Sequence, residues 1–190
     1  MSDDNRRPRL SKAETQEKLI ASAIELMKDT PIGKVSALKI CEHAGLDKMA
    51  VRYCFGSYVG LLVATTLELG RSVSGHVRDG LFEGSAYVDE NAVLFGKMLA
   101  YLFTSFGEEL PKVTLDQLPN FVLLEKQITE TYGLHPELAR ALAKRAAHIA
   151  VATVAIERFI PLTEREHQIL HRAQRFFYEE VAKVQDQILE

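Results

Sequence analysis

Residues 36–62 read SALKICEHAGLDKMAVRYCFGSYVGLL, and this is the most informative stretch of the chain. Ser36 is placed to cap a short helix. The apolar residues of that helix recur at the spacing of one helix face, and they are Ala37, Ile40, Cys41 and Ala44. Gly45 supplies the left-handed residue with which helices commonly end, and Asp47 caps a second short helix over residues 48–53. Two short helices joined by a glycine turn are typical of a helix-turn-helix, whose second helix enters the major groove of DNA.

Some side chains of this stretch are expected to pack inside the motif rather than to recognise DNA. They are Ile40, Cys41, Leu46 and Val51. Cys41 precedes Gly45 by one helical turn, and its small side chain lets the two helices approach closely. Cys41 and Cys54 are the two cysteines of the chain. A disulfide framework or a zinc cluster needs more cysteines, so we expect buried, reduced thiols.

Capping signals define the helices on either side of the motif. Ser11 and Glu14 form the pattern of a capping box, and the helix that they start should end near Asp29. Ser57 is placed to cap a fourth helix, which extends to about Leu81.

The remaining sequence predicts further helices and no strand. Helical patterns cover residues 88–106 and 120–132, and a third runs from residue 136 to residue 159 or 160. Thr163 and Glu166 form a second capping box, which starts a final helix that runs to the C-terminus. An alternating apolar pattern, the signature of a half-buried strand, is absent from the sequence. We therefore expect an all-α protein with about nine helices.

The composition is compatible with an all-α DNA-binding protein but does not by itself indicate one. The chain has 190 residues, 47% of them hydrophobic, and a formal net charge of −3. Residues 1–60 hold ten Lys and Arg against eight Asp and Glu, a net charge of +2, whereas residues 61–190 have a net charge of −5. No apolar run is long enough for a membrane span, and the first residues lack the apolar core of a signal peptide. A cytoplasmic location is therefore the expectation.

The segment from Ser11 to Leu62 resembles the N-terminal domain of the TetR (TetR/AcrR) family of bacterial transcriptional regulators. The matching residues keep their spacing over positions 40–62, and they are Ile40, Ala44-Gly45-Leu46, Ala50-Val51, Phe55-Gly56-Ser57 and Leu61-Leu62. The resemblance implies a three-helix helix-turn-helix DNA-binding domain over residues 11–62. It further implies a helical effector-binding and dimerisation domain over residues 63–190.

The sequence predicts a flexible basic arm over residues 1–10, in front of this domain. Its arginines are Arg6, Arg7 and Arg9. They either remain solvated or contact phosphates or the minor groove, as the basic arms of other DNA-binding proteins do.

The resemblance also assigns roles within the motif. The expected DNA-contacting residues are Ser36, Ala37, Lys48, Met49, Ala50, Arg52, Tyr53 and Tyr58. Ser36 and Ala37 present backbone N–H groups to a phosphate, and Arg52, Tyr53 and Tyr58 lean toward phosphates. The remaining three face base edges, where Lys48 suits guanine O6 and N7 and Met49 suits a thymine methyl group.

Two positions depart from the family pattern. The family usually has tyrosine where this chain has Arg52, and lysine where it has Tyr58, and both family residues typically contact phosphates. The basic group and the hydroxyl have thus exchanged places. Either the exchange preserves a phosphate clamp, or it marks a DNA site that has degraded.

The resemblance implies that the last two helices form a four-helix interface in a homodimer. Residues 135–160 are rich in alanine, which permits close helix contact. The final helix offers Ile169, Leu170, Ala173, Phe176, Phe177 and Val181. An ordinary internal core would use the same residues, so both explanations stay open. A dimer would place two recognition helices about 34 Å apart on a near-palindromic operator.

An effector pocket among the middle helices is the third implied feature. Its candidates are Phe95, Met98, Leu99, Leu102, Phe103, Phe106, Phe121, Leu124 and Ile128. They suit an apolar or aromatic small molecule, and simple core packing is the competing explanation for each of them. No polar constellation identifies the ligand.

The sequence predicts no catalytic, cofactor or metal site. It has no glycine-rich phosphate loop and no nucleophile elbow, and His167 and His171 lack the pattern of a metalloprotease helix. The expected function is a homodimeric DNA-binding transcriptional regulator, a repressor released by a small-molecule effector. The alternative is an all-α protein-interaction module that has lost DNA binding.

Overall fold

The computed structural model describes residues 10–80, 90–107, 110, 119–156 and 159–190. Within these ranges the chain forms nine α-helices and one short 3-10 turn, with no β-strand, so the expected all-α fold is confirmed. The helices divide between two compact units, one that ends at Thr65 and one that begins at Thr66.

The first unit begins with α1 (Lys12–Asp29), whose ends are those that the sequence predicts. The Ser11 hydroxyl accepts a hydrogen bond from the Glu14 backbone N–H at 3.2 Å. The Glu14 carboxylate accepts one from the Ser11 backbone N–H at 2.7 Å, which completes the capping box. The buried face of α1 consists of Leu19, Ser22, Ala23 and Met27.

A 3-10 turn (Ile32–Lys34) connects α1 to the two short helices of the motif, α2 (Ala37–Ala44) and α3 (Ala50–Phe55). Gly45 ends α2 in the left-handed conformation, with a φ of 62°, as predicted. The buried face of α2 consists of Ile40, Cys41 and Ala44. The two helices therefore meet across a glycine turn, with their apolar residues inside.

The second helix of the motif starts later than expected. The Asp47 carboxylate accepts a hydrogen bond from the Met49 backbone N–H at 2.7 Å. The Asp47 carbonyl accepts one from the Ala50 N–H at 2.9 Å. These bonds close a tight turn of the kind that aspartate side chains favour. The predicted range 48–53 is therefore wrong at both ends, since α3 begins at Ala50 and ends at Phe55.

The fourth helix, α4 (Tyr58–Gly80), starts at the predicted cap. The Ser57 hydroxyl accepts a hydrogen bond from the Gly60 N–H at 3.0 Å. A Cβ atom on Gly60 would collide with the backbone carbonyl of Phe55. Glycine at this position therefore lets the start of α4 pass close to the end of α3.

The second unit contains the rest of α4 and the later helices of the chain. These are α5 (Glu90–Phe106), α6 (Pro119–Tyr132), α7 (Pro136–Ile156), α8 (Glu164–Lys183) and α9 (Gln185–Leu189). Its buried cluster joins α6, α7 and α8 and contains Phe121, Leu124, Ile128, Leu134, Leu138, Ala139, Leu142, Ala143, Tyr178 and Val181. The helix α5 packs against α7 and buries Leu94, Gly96, Met98 and Leu102.

Two predicted helix ends in the second unit are wrong. The helix α7 does not reach residue 160, because Phe159 and Ile160 are not helical. Ile160 precedes Pro161, and a proline ring disfavours the helical conformation in the residue before it. The final helix is also interrupted, at Val184, which separates α8 from α9.

Gln185 holds the chain at this interruption. Its side-chain oxygen accepts a hydrogen bond from the His135 backbone N–H at 2.7 Å, and its side-chain nitrogen donates one to the Gly133 carbonyl at 3.3 Å. One amide thus satisfies backbone groups at the end of α6 and the start of α7. The bonds bridge about fifty positions of sequence, which explains why no local pattern predicts the break.

Some of the other predicted segment boundaries are confirmed, and others lie outside the residues that the structure describes. Thr163 and Glu166 form the second capping box at the start of α8. Residues 1–9 of the predicted arm, and the predicted helix ends at residues 81 and 88, lie outside the described residues. Among the helices that are described, none is both long and apolar enough to cross a membrane.

Candidate nucleic-acid interface

The exposed face of α3 and the turn before it carries the side chains that the sequence assigns to recognition. Met49 is 51% exposed and Tyr53 is 70% exposed. They lie one helical turn apart, since the Tyr53 N–H donates to the Met49 carbonyl at 2.9 Å. Lys48 and Arg52 are also exposed, and Ala50 is half-buried. The buried face consists of Val51 and Cys54. The motif therefore presents two cations and two large side chains on its outer side.

The start of α2 forms the second part of this surface. Ser36 is exposed, and its hydroxyl accepts a hydrogen bond from the Lys39 backbone N–H at 3.3 Å. The adjoining Ala37 is half-buried, and Leu38, which sequence reasoning did not single out, is 53% exposed. A helix start carries partial positive charge from its N–H groups, so this end of α2 is suited to an anion.

The helix α1 supports α3 from its own first turns. The Gln16 side-chain nitrogen donates a hydrogen bond to the Cys54 carbonyl at 3.1 Å. The Lys12 ammonium lies 5.4 Å from the centroid of the Tyr53 ring, which is the distance of a cation–π interaction. Sequence reasoning missed both contacts, because they join residues that are distant in sequence and no local pattern marks them.

Tyr58 is bonded to the protein's own backbone. It is half-buried, and its hydroxyl donates to the Val35 carbonyl at 2.6 Å. A phosphate oxygen is a hydrogen-bond acceptor, so a phosphate contact would need the same hydroxyl proton. The structure therefore gives this hydroxyl a partner in front of α2, and a contact between Tyr58 and phosphate stays a prediction.

Both cysteines lie inside the motif as free, buried thiols, as the sequence predicts. Burial raises the pKa of the Cys54 thiol, so this group is protonated at neutral pH. In the ranges that the structure describes, no group of three His, Cys, Asp or Glu side chains is placed to hold a metal ion.

The candidate effector residues fall into three groups by exposure. The buried ones are Met98, Leu102, Phe121, Leu124 and Ile128. The half-buried ones are Phe95, Leu99 and Phe106. Phe103 is 61% exposed. The structure brings Phe121, Leu124 and Ile128 together in the core cluster of the second unit, where packing alone accounts for them.

The helix α8 presents an apolar outer face. Of its 20 residues only Tyr178 and Val181 are buried, and both belong to the core cluster. The exposed apolar residues of the helix, which we call the outer face of α8, are Ile169, Leu170, Ala173, Phe176 and Phe177. An internal core therefore explains Val181 and leaves the outer face unexplained.

These elements define a class of all-α protein in which a helix-turn-helix unit is followed by a larger helical unit. The solved structure of AlkX from Dietzia sp. strain DQ12-45-1b, a TetR family repressor implicated in biodegradation of n-alkanes, shares this fold. The TM-score is 0.55, and the match covers 94% of this chain and 98% of that one at 16% sequence identity. No family model matches the sequence, and no curated protein matches it significantly. The expected TetR-like architecture is thus confirmed at the level of fold.

Proposed function

We propose that this protein is a homodimeric DNA-binding transcriptional regulator, a repressor that a small-molecule effector releases from DNA. The observation that carries the proposal is the exposed face of α3, set in a chain that shares its fold with a TetR family repressor over nearly its whole length. A recognition helix must leave its reading side chains open to the major groove. We further propose that the protein acts in the cytoplasm and catalyses no reaction.

The proposed division of labour follows the chain. Residues 1–10 act as a basic arm, residues 11–62 bind DNA, and residues 63–190 bind the effector and form the dimer. Lys48, Met49 and Ala50 face base edges, where the ammonium donates to guanine and the thioether packs on a thymine methyl group.

Phosphate contacts surround these base contacts in the proposal. Arg52 and Tyr53 extend from the exposed side of α3, and Ser36 and Ala37 offer backbone N–H groups at the start of α2. Such contacts fix the position of the protein on the duplex and supply most of the salt dependence of binding.

The outer face of α8 supports the proposed dimer. A 20-residue helix with two buried side chains gains little from packing inside its own unit, and an exposed apolar patch of this kind is typical of an interface. A second copy of the chain is the proposed occupant, with α7 and α8 of each copy in the four-helix contact. Two-fold symmetry then requires a near-palindromic operator.

The proposed effector is an apolar or aromatic small molecule, because none of its candidate residues carries a charge. The neighbour's link to n-alkane biodegradation makes n-alkanes reasonable first compounds to test. An effector that binds the DNA-free form better lowers DNA affinity by the ratio of its two affinities.

The test is a gel-shift titration with DNA from upstream of the protein's own gene, first at low salt and then across a salt series. We expect tighter binding than to unrelated DNA of equal length, and weaker binding by the Lys48→Ala, Arg52→Ala double variant. Lys97→Ala, which removes an exposed cation of α5, is the matched control and should bind normally. No binding at low salt anywhere in that region would overturn the proposal and favour the protein-interaction module.

A further inference from the structure

Two consecutive carbonyls in front of α2 accept hydrogen bonds from side chains. The Lys34 carbonyl accepts one from the Lys39 ammonium at 3.2 Å, and the Val35 carbonyl accepts one from the Tyr58 hydroxyl at 2.6 Å. Both carbonyls precede the cap residue Ser36, whose own carbonyl accepts the first bond of the helix. Side chains therefore hold the segment that leads into α2.

The two donors differ in where they come from. Lys39 belongs to α2 itself and lies five residues from its acceptor. Tyr58 is the first residue of α4 and lies 23 residues from Val35. Of the two bonds, the one from tyrosine is therefore the one that fixes the start of α2 against another helix.

Val35 is a rigid point of attachment. Its side chain is 5% exposed, and its N–H donates to the Ile32 carbonyl at 3.1 Å to close the 3-10 turn. Its side chain, N–H and carbonyl are thus all engaged. Tyrosine adds little freedom of its own, because its side chain turns about two torsions only.

We propose that Tyr58 is a positioning residue, whose hydroxyl sets the first turn of α2 against the start of α4. That turn carries Ser36 and Ala37, so the consequence for DNA rests on the proposed function. Because the hydroxyl proton is donated to the Val35 carbonyl, Tyr58 affects DNA binding through the position of α2. It makes no direct contact with a DNA phosphate in this proposal.

The first experiment measures backbone hydrogen exchange in the full-length protein without DNA. Tyr58→Phe removes the hydroxyl and keeps the ring. We expect the amides of Val35, Lys39 and Ile40, which donate hydrogen bonds in this turn, to exchange roughly tenfold faster, the factor that corresponds to one lost hydrogen bond of ordinary strength. Tyr53→Phe is the matched control, since it removes the same atom from a tyrosine of the same unit that is 70% exposed. It should leave exchange unchanged.

Exchange in α1 separates positioning from general destabilisation. We expect amides in the middle of α1 to keep their wild-type rate in Tyr58→Phe. Equal acceleration in α1 and α2, or no acceleration in α2, overturns the proposal. This result does not depend on DNA, so it decides the contact even if the wild-type protein binds no DNA.

The second experiment measures DNA affinity of the same variant. We expect Tyr58→Phe to bind roughly tenfold more weakly than wild type, with the same dependence on salt, because no cation has been removed. Weaker binding with unchanged exchange would show a direct phosphate contact and overturn the proposal. Faster exchange with unchanged affinity would show that the start of α2 takes no part in binding, which overturns the consequence for DNA and leaves the positioning contact established.

Discussion

Arg52 places a permanent positive charge on the exposed side of α3, at the position where the family that this chain resembles has tyrosine. If this charge meets a phosphate, Arg52→Ala should weaken binding to all DNA sequences alike. It should also reduce the slope of log affinity against log salt by about 1, since one fewer counterion is released. Fluorescence anisotropy across a salt series measures both quantities.

Arg52→Lys is the matched control for this prediction, because it keeps the charge and changes its shape. Its slope should equal that of the wild type. An unchanged slope in Arg52→Ala would mean that the guanidinium does not reach the DNA backbone, and would favour the interpretation in which the exchange of Arg52 and Tyr58 marks a degraded site.

At the scale of single residues, the sequence predicts local contacts well and distant ones poorly. The Ser11 cap and the left-handed Gly45 follow from patterns that span three or four positions. The bonds of Gln16 and Tyr58 depend on which backbone carbonyl the fold brings near, so residue type alone does not reveal them.

At the scale of helices, Gly60 fixes how closely α4 follows α3. Alanine usually stabilises a helix relative to glycine, by about 1 kcal/mol. At Gly60 the added methyl group meets the Phe55 carbonyl, so we expect Gly60→Ala to destabilise the protein by about 1–3 kcal/mol instead. Urea unfolding followed by circular dichroism measures the change, and a stabilised variant would contradict the prediction.

The two capping boxes make the ends of two helices sensitive to acid. Hydrogen bonds with the side chain and backbone of Ser11 hold the pKa of Glu14 below its ordinary value, and those with the backbone and side chain of Thr163 do the same for Glu166. A carboxyl whose pKa is lower in the folded chain stabilises the fold above its unfolded pKa. That contribution is lost as the pH falls through the folded value.

Glutamine keeps the accepting oxygen of a capping box and does not titrate. Between about pH 6 and pH 3, where glutamates titrate, we expect the melting temperature of the Glu14→Gln, Glu166→Gln variant to fall less than that of the wild type. Thermal unfolding at each pH checks the expectation. Parallel curves for the two proteins would count against it.

The spacing of apolar residues predicts where the helices lie. Several helix ends depend instead on hydrogen bonds that this spacing does not reveal. The Asp47 turn delays α3, and the Gln185 amide accompanies the break between α8 and α9. The end of α7 is different, because Pro161 marks it in the sequence, and the predicted helix extends too close to this proline.

At the scale of the whole molecule, the proposed dimer predicts that the outer face of α8 tolerates no charge. Phe176 is 62% exposed, so Phe176→Glu should leave the protomer folded and weaken dimerisation by about 2–4 kcal/mol, as for a central interface residue. Phe103→Glu is the matched control, since Phe103 is 61% exposed and lies on α5. Sedimentation equilibrium should show the loss for Phe176 alone, and equal behaviour of the two variants would contradict the assigned interface.

The overall architecture is predictable because capping, spacing and the resemblance agree with one another. The candidate site is predictable in part, since the exposed positions of α3 follow from its buried face. The packing of the second unit is less predictable from the sequence. The apolar residues of α8 fit an inner or an outer face equally well until their neighbours are known.

The burial of both thiols gives the first unit a reporter that the second unit lacks. The chain holds two cysteines, one in α2 and one in α3, and both are free and buried. A thiol reacts only when a reagent reaches it as thiolate, and the raised pKa of Cys54 slows that reaction further. Maleimide labelling of the natural sequence therefore follows the opening of the motif, whether local or by global unfolding, and any ligand that holds the motif closed should lengthen the labelling time.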